Sequence, residues 1–238
     1  MNLSVLPVRT AGAAENMAVD FLLLQRHPGP PQPRFRHYRW RGPAFTFGYS
    51  QRLAFVQETL AAELPTDLCR RPTGGGIVDH RDDWTYALVL PRGHPLEEER
   101  ASESYRVVHA ALAAALRAGG VPAEVKPACD PAPPEGGCGP AGVCFQRAER
   151  FDVVHGGSGA KLAGAAQKRS RHGLLFQGSI ARAFVGPLDW DAFGAAFVAA
   201  LGREIGAEPV ATPWPEFQPE ELEGLIEQYG SSEWLGHR

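Results

Sequence analysis

Arg70-Arg71-Pro72-Thr73-Gly74-Gly75-Gly76-Ile77-Val78-Asp79-His80 is the stretch on which the reading of this chain turns. Three successive glycines remove every Cβ, so backbone N–H groups can approach a ligand and take angles closed to other residues. Such a loop can form an anion-binding nest, with the paired arginines as counter-charge. A bare Gly-Gly-Gly is otherwise a flexible turn; the arginines before it and His80 after it favour a site. Outward from the loop, residues 69–71 read as a short strand entering it, and 77–79 and 84–90 as strands beyond it.

The rest of the chain mixes helix and strand signals. Residues 13–27 read as a helix with Met17, Phe21 and Leu24 on one face, stopped by Pro28. After a loop over 28–33, residues 35–40 and 44–49 read as strands, and 55–64 as a helix closed by Pro65. The clearest helix is 102–118, Ser-capped, Ala-rich and ended by Gly119 and Gly120. Residues 127–142, dense in Pro and Gly, read as a mobile loop. Three strands follow at 151–155, 161–167 and 173–179, then helices near 191–202 and 219–229. There is no internal repeat. Strands and helices alternate without strict βαβ order, which predicts one α+β domain over 1–238 with a mixed, largely antiparallel sheet.

With 238 residues, 44% hydrophobic and 21% charged, the chain can bury a core without disulfides or metals. A net charge of -3 argues against nucleic-acid binding. Arg34, Arg36, Arg39 and Arg41 interleave with Phe35, Tyr38 and Trp40, a pattern an RNA platform would also show. An edge strand with alternating faces is the reading preferred here. No basic n-region precedes a long apolar run near Met1, and no stretch is long enough to span a membrane. The expected location is the cytoplasm, where Cys69, Cys129, Cys138 and Cys144 stay reduced.

A second stretch carries chemistry: Gly159-Ala160-Lys161-Leu162-Ala163-Gly164-Ala165-Ala166-Gln167-Lys168-Arg169. Small and apolar neighbours can partly desolvate Lys161 and make it available for chemistry, whereas a lone lysine is ordinarily a solvated surface charge. Residues 156–161 fail as a phosphate loop, because Ala160 precedes the lysine and Leu162 follows it. They fail as a nucleophile elbow around Ser158, because Ala160 stands where the second glycine belongs. The spacing of Cys129, Cys138 and Cys144 matches no common zinc pattern, so no metal is expected. Cys69 is expected in the core.

Taken in order, Arg-Arg-x-Thr-Gly-Gly-Gly-x-Val-x-His, Phe-Asp-Val-Val, Lys-Leu-Ala-Gly-Ala-Ala-Gln-Lys-Arg and Gln-Gly-Ser resemble the lipoate protein ligase, octanoyltransferase and biotin ligase superfamily. Further echoes lie at Met17-Ala18-Val19-Asp20, at 36–51 and at 229–234, so the likeness covers nearly everything except 127–142. It implies an α+β catalytic domain whose ligand lies in a tunnel between the glycine loop and the lysine-bearing strand. The substrate-binding residues it implies are Arg71, Gly74, Gly75, Gly76, Ile77, Val78, Asp79, His80, Asp152, Gly164 and Ala165.

Within the superfamily, ligases activate a free acid with ATP and Mg²⁺, and transferases take the acyl group from a carrier thioester through a cysteine. The Cys144-Phe145 step, shortly before the 151–155 strand, resembles the nucleophile position of the cysteine-dependent octanoyltransferases. The expected catalytic pair is therefore Cys144 and Lys161, with no cofactor. Lys161 would favour the thiolate and backbone N–H groups the oxyanion. The implied partners are acyl carrier protein and a lipoyl domain, such as a glycine cleavage H protein or a dehydrogenase E2 domain. The 127–142 loop is expected to order when a carrier docks. Full-length ATP-dependent ligases carry an accessory domain, and the expectation is that this chain has none. The alternatives are an ATP-dependent lipoate or octanoate ligase, a biotin ligase, a non-catalytic acyl-binding module and, for Cys144, a merely buried thiol. Three departures stand out: a lengthened turn before Lys161, Gln177 where relatives usually have His, and Asp79 where an apolar residue is usual. An inward Asp79 would imply a shorter or more polar ligand.

Overall fold

The computed structural model describes residues 1–27, 29–63, 66–129 and 147–237. From the N-terminus come β1 (Asn2–Ala11), α1 (Ala13–Gln25), β2 (Arg34–Trp40), β3 (Ala44–Phe47), α2 (Leu53–Thr59), β4 (Asp67–Arg70), β5 (Val78–Asp79) and β6 (Asp83–Pro91). Then follow α3 (Pro95–Glu98), α4 (Ala101–Ala118), β7 (Ala123–Val125), β8 (Val153–His155), β9 (Lys161–Ser170) and β10 (Gly173–Ala181). The chain closes with α5 (Arg182–Val185), α6 (Trp190–Glu204), β11 (Glu208–Ala211), α7 (Pro219–Gly230) and α8 (Ser232–Gly236).

Eight strands form one sheet in the order β11-β1-β2-β6-β10-β9-β8-β7, and β4-β3-β5 form a smaller one. In the large sheet β1 runs parallel to β11 and β2, and the other neighbours are antiparallel. The expected α+β fold with a mixed, largely antiparallel sheet is therefore what forms. Period-two alternation sorts the side chains between its faces. On one face Phe35, Trp84, Tyr86, Leu88 and Phe176 pack beneath α4 and α6. On the other, Leu6, Tyr38, Val89 and Leu175 meet Val19, Leu23 and Leu24 of α1. Phe45, Phe47 and Ile77 of the small sheet region pack on Val56 and Leu60 from α2 and its C-cap.

Two sequence expectations need correction. The strand bearing Arg34 and Arg36 is an interior strand, because β1 adds beside it. Arg34 and Arg36 are buried on α1, whereas Arg39 is exposed: Arg34 Nη1 donates to Leu23 O at 2.9 Å, and Arg36 Nε donates to Asp20 Oδ1 at 2.6 Å. The strands β1, β7 and β11 were not foreseen. Pro7 interrupts β1 at a register shift between Leu6 and Arg9, which breaks the alternation by which a strand is recognised. Among the described residues no helix is long and apolar enough to cross a membrane.

Candidate active site

The glycine loop joins β4 to β5 and is held by backbone and side-chain bonds together. Gly75 has φ 89°, a conformation that glycine takes without a Cβ clash. A Cβ on Gly48, just after β3, would lie 1.9 Å from Gly75 O, so the two backbones are in direct contact. Arg71 Nη2 donates to Gly74 O at 2.7 Å and Gly76 O at 2.9 Å, while its Nη1 donates to Thr46 Oγ1 at 2.9 Å. Arg71 thus braces the loop and lines the cleft beside it. Arg70 does not share that role. It turns the other way, donating to Tyr49 O, Gln51 O, Trp234 O and Leu235 O.

Across the loop lies a narrow cleft of about 50 Å³ between the small sheet and the face of β2, β6, β10 and β9. Gly75, Val78 and His80 line it on one side, and Lys161, Gly164 and Ala165 on the other. Four of the glycine-loop residues expected to bind substrate, Gly74, Gly76, Ile77 and Asp79, do not line it. Ile77 is buried with Phe45 and Phe47. Asp79 points outward to Arg81, with Oδ2 2.6 Å from Nη2. Partial burial opposes its ionisation, but the Arg81 guanidinium outweighs that and holds the carboxyl below its usual range. No carboxylate of residue 79 therefore enters the cleft.

The inner wall of the cleft is polar and hydrogen-bonded through Asp83 Oδ2, while Asp83 Oδ1 is buried with no partner. His80 Nδ1 lies 2.6 Å from Asp83 Oδ2, and its Nε2 lies 2.7 Å from Thr46 Oγ1. The same Asp83 oxygen accepts from Thr85 Oγ1 at 2.7 Å and Ser179 Oγ at 2.6 Å. Trp40 stacks on the His80 ring at 4.0 Å. Beside this group Gln177 Nε2 donates to Asp20 Oδ2 at 2.6 Å, and Gln177 Oε1 accepts from Thr73 Oγ1 at 2.8 Å. Gln177 therefore ties the buried Arg36–Asp20 pair to the start of the glycine loop. Sequence reading noted Gln177 as a departure and Asp20 as an echo, but not that the two meet.

Lys161 opens β9, and its Nζ sits 2.7 Å from Asp152 Oδ2, both side chains being more than nine-tenths buried. Nζ also donates to Arg147 O at 3.4 Å. The desolvation expected from its small neighbours is real, and the ion pair offsets it. Asp152 is aimed by a left-handed residue, Phe151, with φ 71°, and by Glu149 N donating to Oδ2 at 2.8 Å. In the turn before Lys161, Gly157 N and Ser158 N donate to His155 Nδ1, and Gly159 takes φ 72°.

Cys138, Cys144 and most of the 127–142 loop lie outside the described residues. Cys129 is exposed, and Arg150 N donates to its sulfur at 3.4 Å. Cys69 is core, as expected; burial pushes its thiol pKa up, well away from reactivity. Among the described residues no group of three or more His, Cys, Asp or Glu could hold a metal ion.

Residues 12–194 match the lipoyl protein ligase A/B catalytic domain, and the chain belongs to that family. It is 35% identical over 167 residues to the octanoyltransferase LipM of Moorella thermoacetica, a match covering 69% of this chain and 59% of that protein. The chain thus spans about three fifths of the length of that curated relative. By fold it is similar to Ta0514, a putative lipoate protein ligase from T. acidophilum with bound lipoic acid (TM-score 0.73, 18% identity, all of both chains). It is equally similar to a lipoate-protein ligase A bound with ATP (TM-score 0.73, 17% identity, 99% of each chain).

Proposed function

We propose that this chain is a cysteine-dependent octanoyltransferase, moving an octanoyl or lipoyl-type group from a carrier-protein thioester to a lysine of a lipoyl domain. The observation that carries the reading is the buried Lys161, paired with Asp152 at 2.7 Å and lining a cleft opposite the glycine loop in a chain 35% identical over 167 residues to an octanoyltransferase. In the first half-reaction the Cys144 thiolate attacks the thioester carbonyl. A new thioester forms on Cys144, and the carrier leaves as a thiolate that takes up a proton. In the second, the neutral amine of the acceptor lysine attacks the acyl-Cys144 carbonyl. An amide bond forms, the Cys144 thiolate leaves, and the proton lost by the amine passes to it. The Lys161 ammonium, held in place by Asp152, supplies the positive charge that favours a thiolate and a developing oxyanion. Arg71, Gly75, Val78, His80, Gly164 and Ala165 line the acyl site. Gly74, Gly76 and Ile77 shape its glycine loop. No cofactor enters this cycle.

Intact-protein mass spectrometry after mixing the chain with octanoyl carrier protein, without ATP, tests the reading. One acyl group is expected on the parent and none on Cys144→Ala. No adduct from a competent donor would leave the ATP- and Mg²⁺-dependent ligase, which octanoate-dependent pyrophosphate release would then identify.

A further inference from the structure

His109 sits in the middle of α4, fully buried and outside the cleft lining already described. Its Nδ1 is 2.6 Å from the carbonyl oxygen of Phe151. A carbonyl can only accept, so Nδ1 carries the proton and donates. Its Nε2 is buried with no hydrogen-bond partner. Burial pushes the imidazole pKa down, against the opposing pull of the Asp152 carboxylate and the Phe151 carbonyl, so the ring is neutral at neutral pH. A half-satisfied imidazole in an apolar layer is costly where an aliphatic side chain would pack freely. Its one bond falls on the single described non-glycine residue with positive φ.

We propose that His109 is a positioning residue for Lys161, locking Phe151 in its left-handed conformation so that the next residue, Asp152, presents its carboxylate to the lysine. The left-handed region crowds a Cβ and persists only where its surroundings enforce it. Here Phe151 N donates to Lys126 O at 2.8 Å, and His109 holds the carbonyl on the other side. Asp152 follows with its own N bonded to Glu149 O, its O to Lys126 N, and its carboxylate 2.7 Å from Lys161 Nζ. The relay runs from helix to carbonyl to carboxylate to ammonium. The consequence for catalysis rests on the acyl-transfer reading above; the positioning itself does not.

The test therefore reads Lys161 directly, by its rate of modification with an amine-reactive acyl reagent, resolved by peptide mass spectrometry. In His109→Ala the Lys161 rate should rise severalfold as the Asp152 pair loosens. His109→Asn, whose amide N–H lies where Nδ1–H was, should restore the parent rate. Phe151→Gly, free to take positive φ unaided, should be silent alone and should restore the parent rate in the His109→Ala background. Octanoyl transfer, where observed, should fall on the order of 100-fold in kcat in His109→Ala with KM little changed, as expected for a displaced catalytic group. Imidazole ¹⁵N shifts of the parent protein should show the neutral, Nδ1-protonated tautomer. A proton on Nε2, an unchanged Lys161 rate in folded His109→Ala, or no restoration by Phe151→Gly would each overturn the proposal. Should His109→Ala not fold, the tautomer and the His109→Asn and Phe151→Gly rates decide it. The Lys161 modification rates and the imidazole tautomer need no octanoyl carrier protein, so failure of octanoyl transfer is distinguishable from failure of the relay.

Discussion

Gly164 has no side chain because Lys161 occupies the space one would take. A Cβ there would stand 2.7 Å from Lys161 Cε, 2.9 Å from Nζ and 3.2 Å from Asp152 Oδ1. The obstructing atoms are the far end of a flexible side chain, so Gly164→Ala should move the amine and leave the backbone in place. The expected result is a Tm close to the parent's with acyl transfer reduced on the order of 100-fold, the cost of a misplaced catalytic group. Near-parental activity would mean that the amine tolerates displacement. Lys161 and Gly164 were legible in sequence because their dependence is local, three residues apart on one strand. Asp20 and Gln177 were not, because 157 positions separate partners 2.6 Å apart, and no local pattern encodes that meeting. Ile77 and Asp79 were read as site residues with their neighbours. In a two-residue strand, alternation sends successive side chains to opposite faces, and only Val78 and the following His80 reach the cleft.

At the scale of the element, the glycine loop is distinguished by which of its glycines are required. A Cβ on Gly74 meets nothing within 4 Å, whereas one on Gly48 would lie 1.9 Å from Gly75 O and 2.9 Å from Gly74 C. Backbone cannot yield as a side chain can. Gly48→Ala should therefore destabilise the protein by about 1–3 kcal/mol, the range of overpacking in a close-packed site. Gly74→Ala should stay near the parent. Urea unfolding of the two variants checks the contrast, and equal midpoints would show that the loop rides freely on β3. The Gly-Gly-Gly run drew attention in the sequence, but the glycine with the tightest contact lies 26 positions upstream of Gly74, counting from 48 to 74. Longer elements were easier to read. Helices α1, α4, α6 and α7 and strands β2, β6, β9 and β10 fall within a few residues of their expected bounds. The omissions have a physical pattern too: β1 is broken by Pro7, β11 is four exposed residues containing Pro209, and β7 has three residues. Each takes its strand form from its neighbours in the sheet rather than from its own periodicity.

The whole molecule sandwiches its large sheet between α4 and α6 on one face and α1 with α7 on the other, and the α4–α6 face conceals two histidines. His109 lies beneath α4 against Phe176, and His37 stacks on Trp84 at 4.2 Å. Burial is the largest influence on both and lowers their pKa values below the ordinary 6.5. Such groups take up their protons at lower pH in the folded chain than in the unfolded one, where an imidazole titrates near 6.5. The unfolded state then binds more protons than the native one, so stability increases with pH in that window and decreases on acidification. The limiting slope is about 1.4 kcal/mol per pH unit for each such histidine. Asp79, held below its usual range by Arg81, pulls in the same direction only near and below 3.8, outside this window. The urea midpoint should accordingly be flat from pH 8 to 7 and fall between about pH 6.5 and 5.5. His109→Asn, which keeps the bond to Phe151 without a titratable ring, should fall less steeply by the share of one histidine. A midpoint that held steady or rose on acidification would mean that these rings already carry protons in the folded state.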